Sequence, residues 1–242
     1  MPLPGGTDQP TLMKGSTLTM KTVSRTLTMA LLLATAVFAA AADAPQSPAA
    51  ALHPPKGYKI AIVVFEDLEC PQCAHIEPLL EDAVRNYKVP LVRYDFPIPG
   101  HPWSMEAHIA ARFFDTKSKA LGEEFRSWIF ANQPMITRLN IRSMIERFAN
   151  EHHVSLPTFL DPNGELAAKV RADAVFGQKI GIDHTPTVFV VSTSPRDPAI
   201  EVPDVSKLFN VLDQVKARVA SAAPPAAPRA PKSAAGKRAA AE

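Results

Sequence analysis

The sequence predicts an α/β domain built on one central sheet, with a block of helices inserted between its first two strands and its last two. Three observations carry this. A nearly unbroken apolar run at residues 58–65 reads as a strand buried on both faces, and it passes through a short turn into a helix at Cys70 and Pro71. Residues 101–176 carry helical periodicity. Beyond Gly181, two short apolar runs and an amphipathic segment follow in the order strand, strand, helix. Alternation first and antiparallel pairing last place the helices on the faces of one sheet, under an inserted helical lid.

The 242 residues are 46% hydrophobic, enough for a real core, while many of the 24 prolines crowd the alanine-rich ends, which offer little to bury. One folded domain between tails is the expectation. A net charge of +2, with no basic run interleaved with aromatics, argues against a nucleic-acid partner.

In chain order, Lys14, Lys21 and Arg25 precede the apolar run 27–42, which ends in Ala40, Ala41 and Ala42, so residues 1–42 read as a signal peptide. Its 16 residues fall short of the roughly 20 that span a bilayer, which leaves an uncleaved anchor as the alternative. Either way the domain is expected outside the cytoplasm, in a periplasm-like compartment where disulfides persist. Residues 43–56 read as a linker. A helix with an apolar face of Ile76, Leu79, Leu80, Ala83 and Val84 starts at Pro71, where the missing N–H costs nothing. A second strand is expected at 89–96, closed by the turn residues Pro97, Pro99 and Gly100. Helices then run to residue 176 with breaks near Lys117, at Gln133-Pro134 and at Asp161-Pro162. Strands at 187–191 and 199–202 and a helix at 205–219 complete the domain, and residues 221–242 read as a disordered, basic Ala/Pro tail.

Two cysteines three apart close too small a loop to stabilise the fold, so their value lies in chemistry. Cys70 opens a helix, where unpaired N–H groups and partial positive charge favour a thiolate. Cys73, one turn in and less exposed, is placed to attack a mixed disulfide on Cys70. A zinc site would need two further ligands, and no second cysteine pair exists to supply them. No metal and no other cofactor is expected.

Three segments together resemble the thioredoxin superfamily, and within it the DsbA-like thiol-disulfide oxidoreductases with a helical insertion, over residues 57–220. They are the stretch from Phe65 through Glu69 into Cys70-Pro71-Gln72-Cys73, the helical Pro78 at a fixed offset after the second cysteine, and Gly181-Ile182-Asp183-His184-Thr185-Pro186. The resemblance implies a thioredoxin-like fold (βαβ, inserted helical subdomain, ββα) with the insertion at about 101–176. It also implies a cis bond before Pro186, with Thr185 and Pro186 binding an extended substrate segment. Pro71, Gln72 and His184 are candidates for tuning the pair, His184 by bringing an imidazole to the Cys70 thiolate. Many relatives place a buried carboxylate six residues before the first cysteine, where this chain has Val64. Glu66, Asp67 and Glu69 lie near but read as solvated loop charges that oppose ionisation of Cys70. His75, His108, His152 and His153 read as surface or partly buried helix residues, and Trp103, Phe113, Phe114, Phe125, Trp128 and Phe148 as core.

The leading functional reading is an exported, monomeric enzyme that introduces disulfides into folding exported proteins and is reoxidised by a quinone-linked membrane partner. A reductase or isomerase is the alternative, to which Thr185 lends weight because isomerase relatives resemble this chain there. A third reading from another class is a periplasmic Cu(I)-binding protein with the two thiolates as soft ligands and His184 as a third.

Overall fold

The computed structural model describes residues 48–195 and 198–221, so the expected signal peptide, the first part of the linker and the tail beyond Ser221 lie outside the described residues. Four strands, β1 (Ile60–Glu66), β2 (Leu91–Asp95), β3 (Thr187–Ser192) and β4 (Ala199–Glu201), form one sheet in the order β2-β1-β3-β4. β1 pairs parallel with β2, Phe65 beside Tyr94, and antiparallel with β3, Phe65 beside Thr187. Both central strands are buried on both faces, as the unbroken apolar runs require.

Helix α1 (Pro71–Tyr87) provides the crossover that a parallel β1–β2 pair demands. It ends at Lys88, whose left-handed backbone returns its N–H to the Val84 carbonyl. Leu80 and Ala83 of α1, with Leu208, Leu212 and Val215 of the last helix α6 (Leu208–Ser221), pack on the sheet face formed by Ile62, Val64, Val188 and Val190. The opposite face, Ala61, Val63, Phe65, Phe189 and Val191, is covered partly by α5 (Glu165–Lys179). There the approach is close: a Cβ on Gly177 would stand 2.7 Å from the Phe96 ring. Ala49 and Leu52 are also buried in this cluster. The described part of the expected linker therefore packs on the sheet instead of hanging free, since even one leucine gains by leaving water.

Between β2 and α5 lie α2 (Ser104–Asp115), α3 (Lys119–Asn132) and α4 (Ile141–Glu151). The breaks fall at Thr116–Ser118, at the short 3₁₀ turn Gln133–Met135 and at residues 152–164. Ser118 caps α3 by accepting the Leu121 N–H. A second core joins these helices, in which Phe114, Phe125 and Phe148 meet with ring centroids 4.8 to 5.0 Å apart. Cys70, Cys73 and Leu68 belong to this helical core and not to either face of the sheet. The redox pair is thus held between a strand that delivers it and an insertion that packs on it.

Candidate active site

β1 ends at Glu66, the loop Asp67–Glu69 turns the chain, and Cys70 stands at the N-cap of α1 with extended backbone (φ −75°, ψ 120°). Both cysteines are free thiols, Cys70 7% and Cys73 2% exposed. The Cys70 thiolate is favoured strongly, its pKa lowered to about 5. The Cys73 thiol's hydrogen bond is the largest cause, burial opposes it, and the Thr185 side chain and the amides of Cys73 and Gln72 add to it. In the thiol form Cys70 Sγ donates to the Thr185 carbonyl, 3.4 Å away. That bond favours the proton and is surrendered on ionisation. Cys73 is pushed the other way, first by burial, then because its thiol is spent on Cys70, with the charges of Cys70 and Glu66 adding. The two sulfurs therefore share one proton unequally, with the thiolate favoured on Cys70 and the proton held on Cys73.

Thr185 and Pro186 are joined by a cis bond and face this pair from the loop before β3. With Gln72, His75, Ile76, Pro78, Leu79 and Val205 they line a groove of about 740 Å³ that opens beside Cys70. His184 also lines the groove, but its Nδ1 lies 2.8 Å from Asp183 Oδ1 and the side chain is 63% exposed. The groups that stabilise Cys70 are thiol, hydroxyl and backbone amides, and Pro71 serves by starting the helix that presents those amides.

Of the three carboxylates expected in solvent, Glu66 and Asp67 are buried and Glu69 is half-buried. Asp67 is fully buried, its oxygens accepting the Ile98 and Glu69 amides at 2.7 and 2.8 Å and lying 2.7 Å from His101 Nδ1. Glu69 caps α2, one oxygen accepting the Trp103 and Ser104 amides. Glu66 is buried against Arg93, whose guanidinium also binds Glu77 and Glu123. Burial, above all, raises Glu66 to about 7; Arg93 opposes this and Glu77 reinforces it. Its second oxygen, Oε1, has no hydrogen-bond partner, with Arg126 Nε 3.9 Å away. Glu66 and Asp67 escape solvent because Arg93 of β2, the segment at Ile98 and His101 and Arg126 of α3 close over them, which a local reading of a turn cannot anticipate.

Sequence reasoning passed over Arg93, Glu77 and Arg126 and gave His108 and Gln133 no part in the site. His108, read as surface or partly buried, is wholly buried: its Nε2 accepts the Leu68 N–H, which leaves Nδ1 to donate to Asp95. A signal existed for some of these. Arg93 and Asp95 alternate with apolar neighbours along the edge strand β2, and Glu77 lies on the apolar face of α1 between Ile76 and Leu80; buried charges of that kind come paired.

The sequence matches the profile of the thioredoxin family over residues 59–199, a span that holds the first three strands, the cysteine pair and the loop at Thr185 and reaches the start of β4. The chain belongs to the thioredoxin family. No curated protein matches the sequence significantly. Among solved structures, the fold is similar to alpha-DsbA2 of Wolbachia pipientis, described as a thiol-disulfide exchange protein (15% identity, TM-score 0.55, covering 67% of this chain and 85% of that one). It is similar also to alpha-DsbA1 of that organism (14%, 0.57, covering 74% and 95%) and to the catalytic domain of Proteus mirabilis ScsC (19%, 0.51, covering 68% and 88%). At these identities the likeness is one of fold, a thioredoxin-like domain with inserted helices. Family membership and the polarised Cys70–Cys73 pair together make the chain a thiol-disulfide oxidoreductase. No described helix is long and apolar enough to cross a membrane.

Proposed function

We propose that the chain is exported and introduces disulfides into folding exported proteins, with Cys70 as the attacked sulfur and Cys73 as its partner. The observation that carries the reading is the stabilised Cys70 thiolate. A thiolate held at a pKa of about 5 lowers the free energy of the reduced pair, so the disulfide is the stronger oxidant. A substrate thiolate attacks the Cys70 sulfur, the Cys70–Cys73 bond breaks, and Cys73 leaves and takes a proton. A second substrate thiolate then attacks the substrate sulfur, and Cys70 departs as the thiolate. Two electrons pass from substrate to enzyme, and a quinone-linked membrane partner removes them.

Glu66 is the buried acid proposed to exchange the Cys73 proton, in place of the carboxylate that Val64 replaces. It titrates near neutrality, one of its oxygens is unpartnered, and its charge acts on Cys73. The groove beside Cys70 receives the substrate segment, with the Thr185 backbone and Pro186 alongside it and Ile76, Leu79 and Val205 giving an apolar floor. The matched ScsC and alpha-DsbA structures support the fold on which this rests. The Cu(I) reading gains no third ligand from the described residues, because His184 turns to Asp183.

The test is the reduction potential of the pair in glutathione buffers. A value of about −120 to −180 mV supports disulfide donation, and one near about −270 mV overturns it in favour of a reductase.

A further inference from the structure

The loop that delivers Cys70 is gripped from the insertion on every side. Leu68 is fully buried; its N–H goes to His108 Nε2 at 3.3 Å and its carbonyl accepts from Gln133 Nε2 at 2.9 Å. The same Gln133 nitrogen reaches the Cys70 carbonyl at 3.1 Å, a carbonyl that also accepts the Ala74 N–H as the first bond of α1. Glu69, between the two carbonyls, is tied to the α2 amides. Gln133 lies at the end of α3, where the chain turns into the 3₁₀ segment Gln133–Met135, and its side chain is partly buried.

We propose that Gln133 is a positioning residue for the reacting thiol: its amide clasps the Leu68 and Cys70 carbonyls and so holds the Cys70 sulfur against the first amides of α1. The clasp does two things. It fixes the backbone on either side of Glu69, so the Cys70 side chain leaves the loop in one direction, toward Thr185 and the Gln72 and Cys73 amides. It also turns positive N–H ends onto two carbonyl dipoles that would otherwise stand unscreened beside a forming negative charge. The carboxamide suits both tasks, since one NH₂ group carries two donors and adds no charge of its own. The helical insertion thereby adds to its packing on the pair a side chain that binds the backbone on either side of Glu69.

The proposal rests on Cys70 being the reacting thiol and is independent of the direction of electron flow. Gln133→Met keeps the length and removes both donors; Gln133→Lys keeps donors one bond further out and adds a positive charge. The readout is the thiolate absorbance of each reduced protein against pH, together with its reduction potential. In Gln133→Met, Cys70 is expected to hold its proton roughly tenfold more tightly, the reach of one lost hydrogen bond. The potential should fall by about 30 mV, which is that tenfold change for a two-electron couple. In Gln133→Lys the thiolate should form at or below the wild-type pH. An unchanged thiolate midpoint in a folded Gln133→Met overturns the proposal. If that variant does not fold, a Gln133→Lys midpoint above wild type overturns it just as directly. A wild-type protein with no low-pH thiolate would instead remove the reading of Cys70 on which the proposal stands.

Discussion

Glu66→Gln probes the buried charge cluster beneath the redox pair. The amide keeps the size of the side chain and an oxygen to accept from Arg93, and removes one of three carboxylates that share that guanidinium. Unfolded, the Glu66 carboxyl ionises near 4.5; in the fold, burial first and the Glu77 charge after it raise it to about 7 against the pull of Arg93. Folding therefore favours the protonated form. Below the unfolded value the carboxyl costs nothing, between the two values the cost grows, and above the folded value it is complete at about 3 kcal/mol. Glutamine carries no such slope. The assay is urea unfolding of the oxidised proteins, in which Cys70 cannot titrate, at about pH 4 and about pH 8. The two proteins should match within about 0.5 kcal/mol at the lower pH, and the variant should be more stable by about 3 kcal/mol at the higher one. A variant less stable than wild type by the same amount at both pH values would refute the reasoning. It would mean that the ion pair with Arg93 outweighs the burial of its carboxylate.

Cys73→Ala removes the largest stabiliser of the Cys70 thiolate, so the thiolate midpoint should rise above about 5 in an absorbance titration; an unmoved midpoint would assign the whole effect to the helix amides and Thr185. Phe114 is fully buried among Phe113, Phe125 and Phe148, and Phe114→Ala should cost about 3–5 kcal/mol in denaturant unfolding. Gly177→Ala forces a methyl to 2.7 Å from the Phe96 ring, and the overpacking should cost about 1–3 kcal/mol in the same measurement. A neutral Gly177→Ala would mean that α5 can slide away from β1 without loss.

The sequence by itself determined what depends on near neighbours in the chain. The apolar runs of β1 and β3 and the Cys70-Pro71 helix start are written locally, as are the loop at Thr185 and the breaks between the inserted helices. The strand and helix starts and the first two breaks lie within a residue or two of where patterning places them, whereas the break expected at Asp161-Pro162 opens already at residue 152. Backbone hydrogen bonding and apolar periodicity act over a few residues, and a reader of sequence sees them. Only the tertiary structure decided the electrostatics. Glu66, Asp67 and Glu69 resemble any acidic turn until Arg93, from the next strand, and the amides of Ile98, Trp103 and Ser104 arrive from 27 to 35 residues away. His184, adjacent to the cis loop in sequence, turns to Asp183, while Gln133, 63 residues from Cys70, reaches its carbonyl. A charge is buried or solvated according to what folds over it, and no spacing along one strand or loop records which partner that will be.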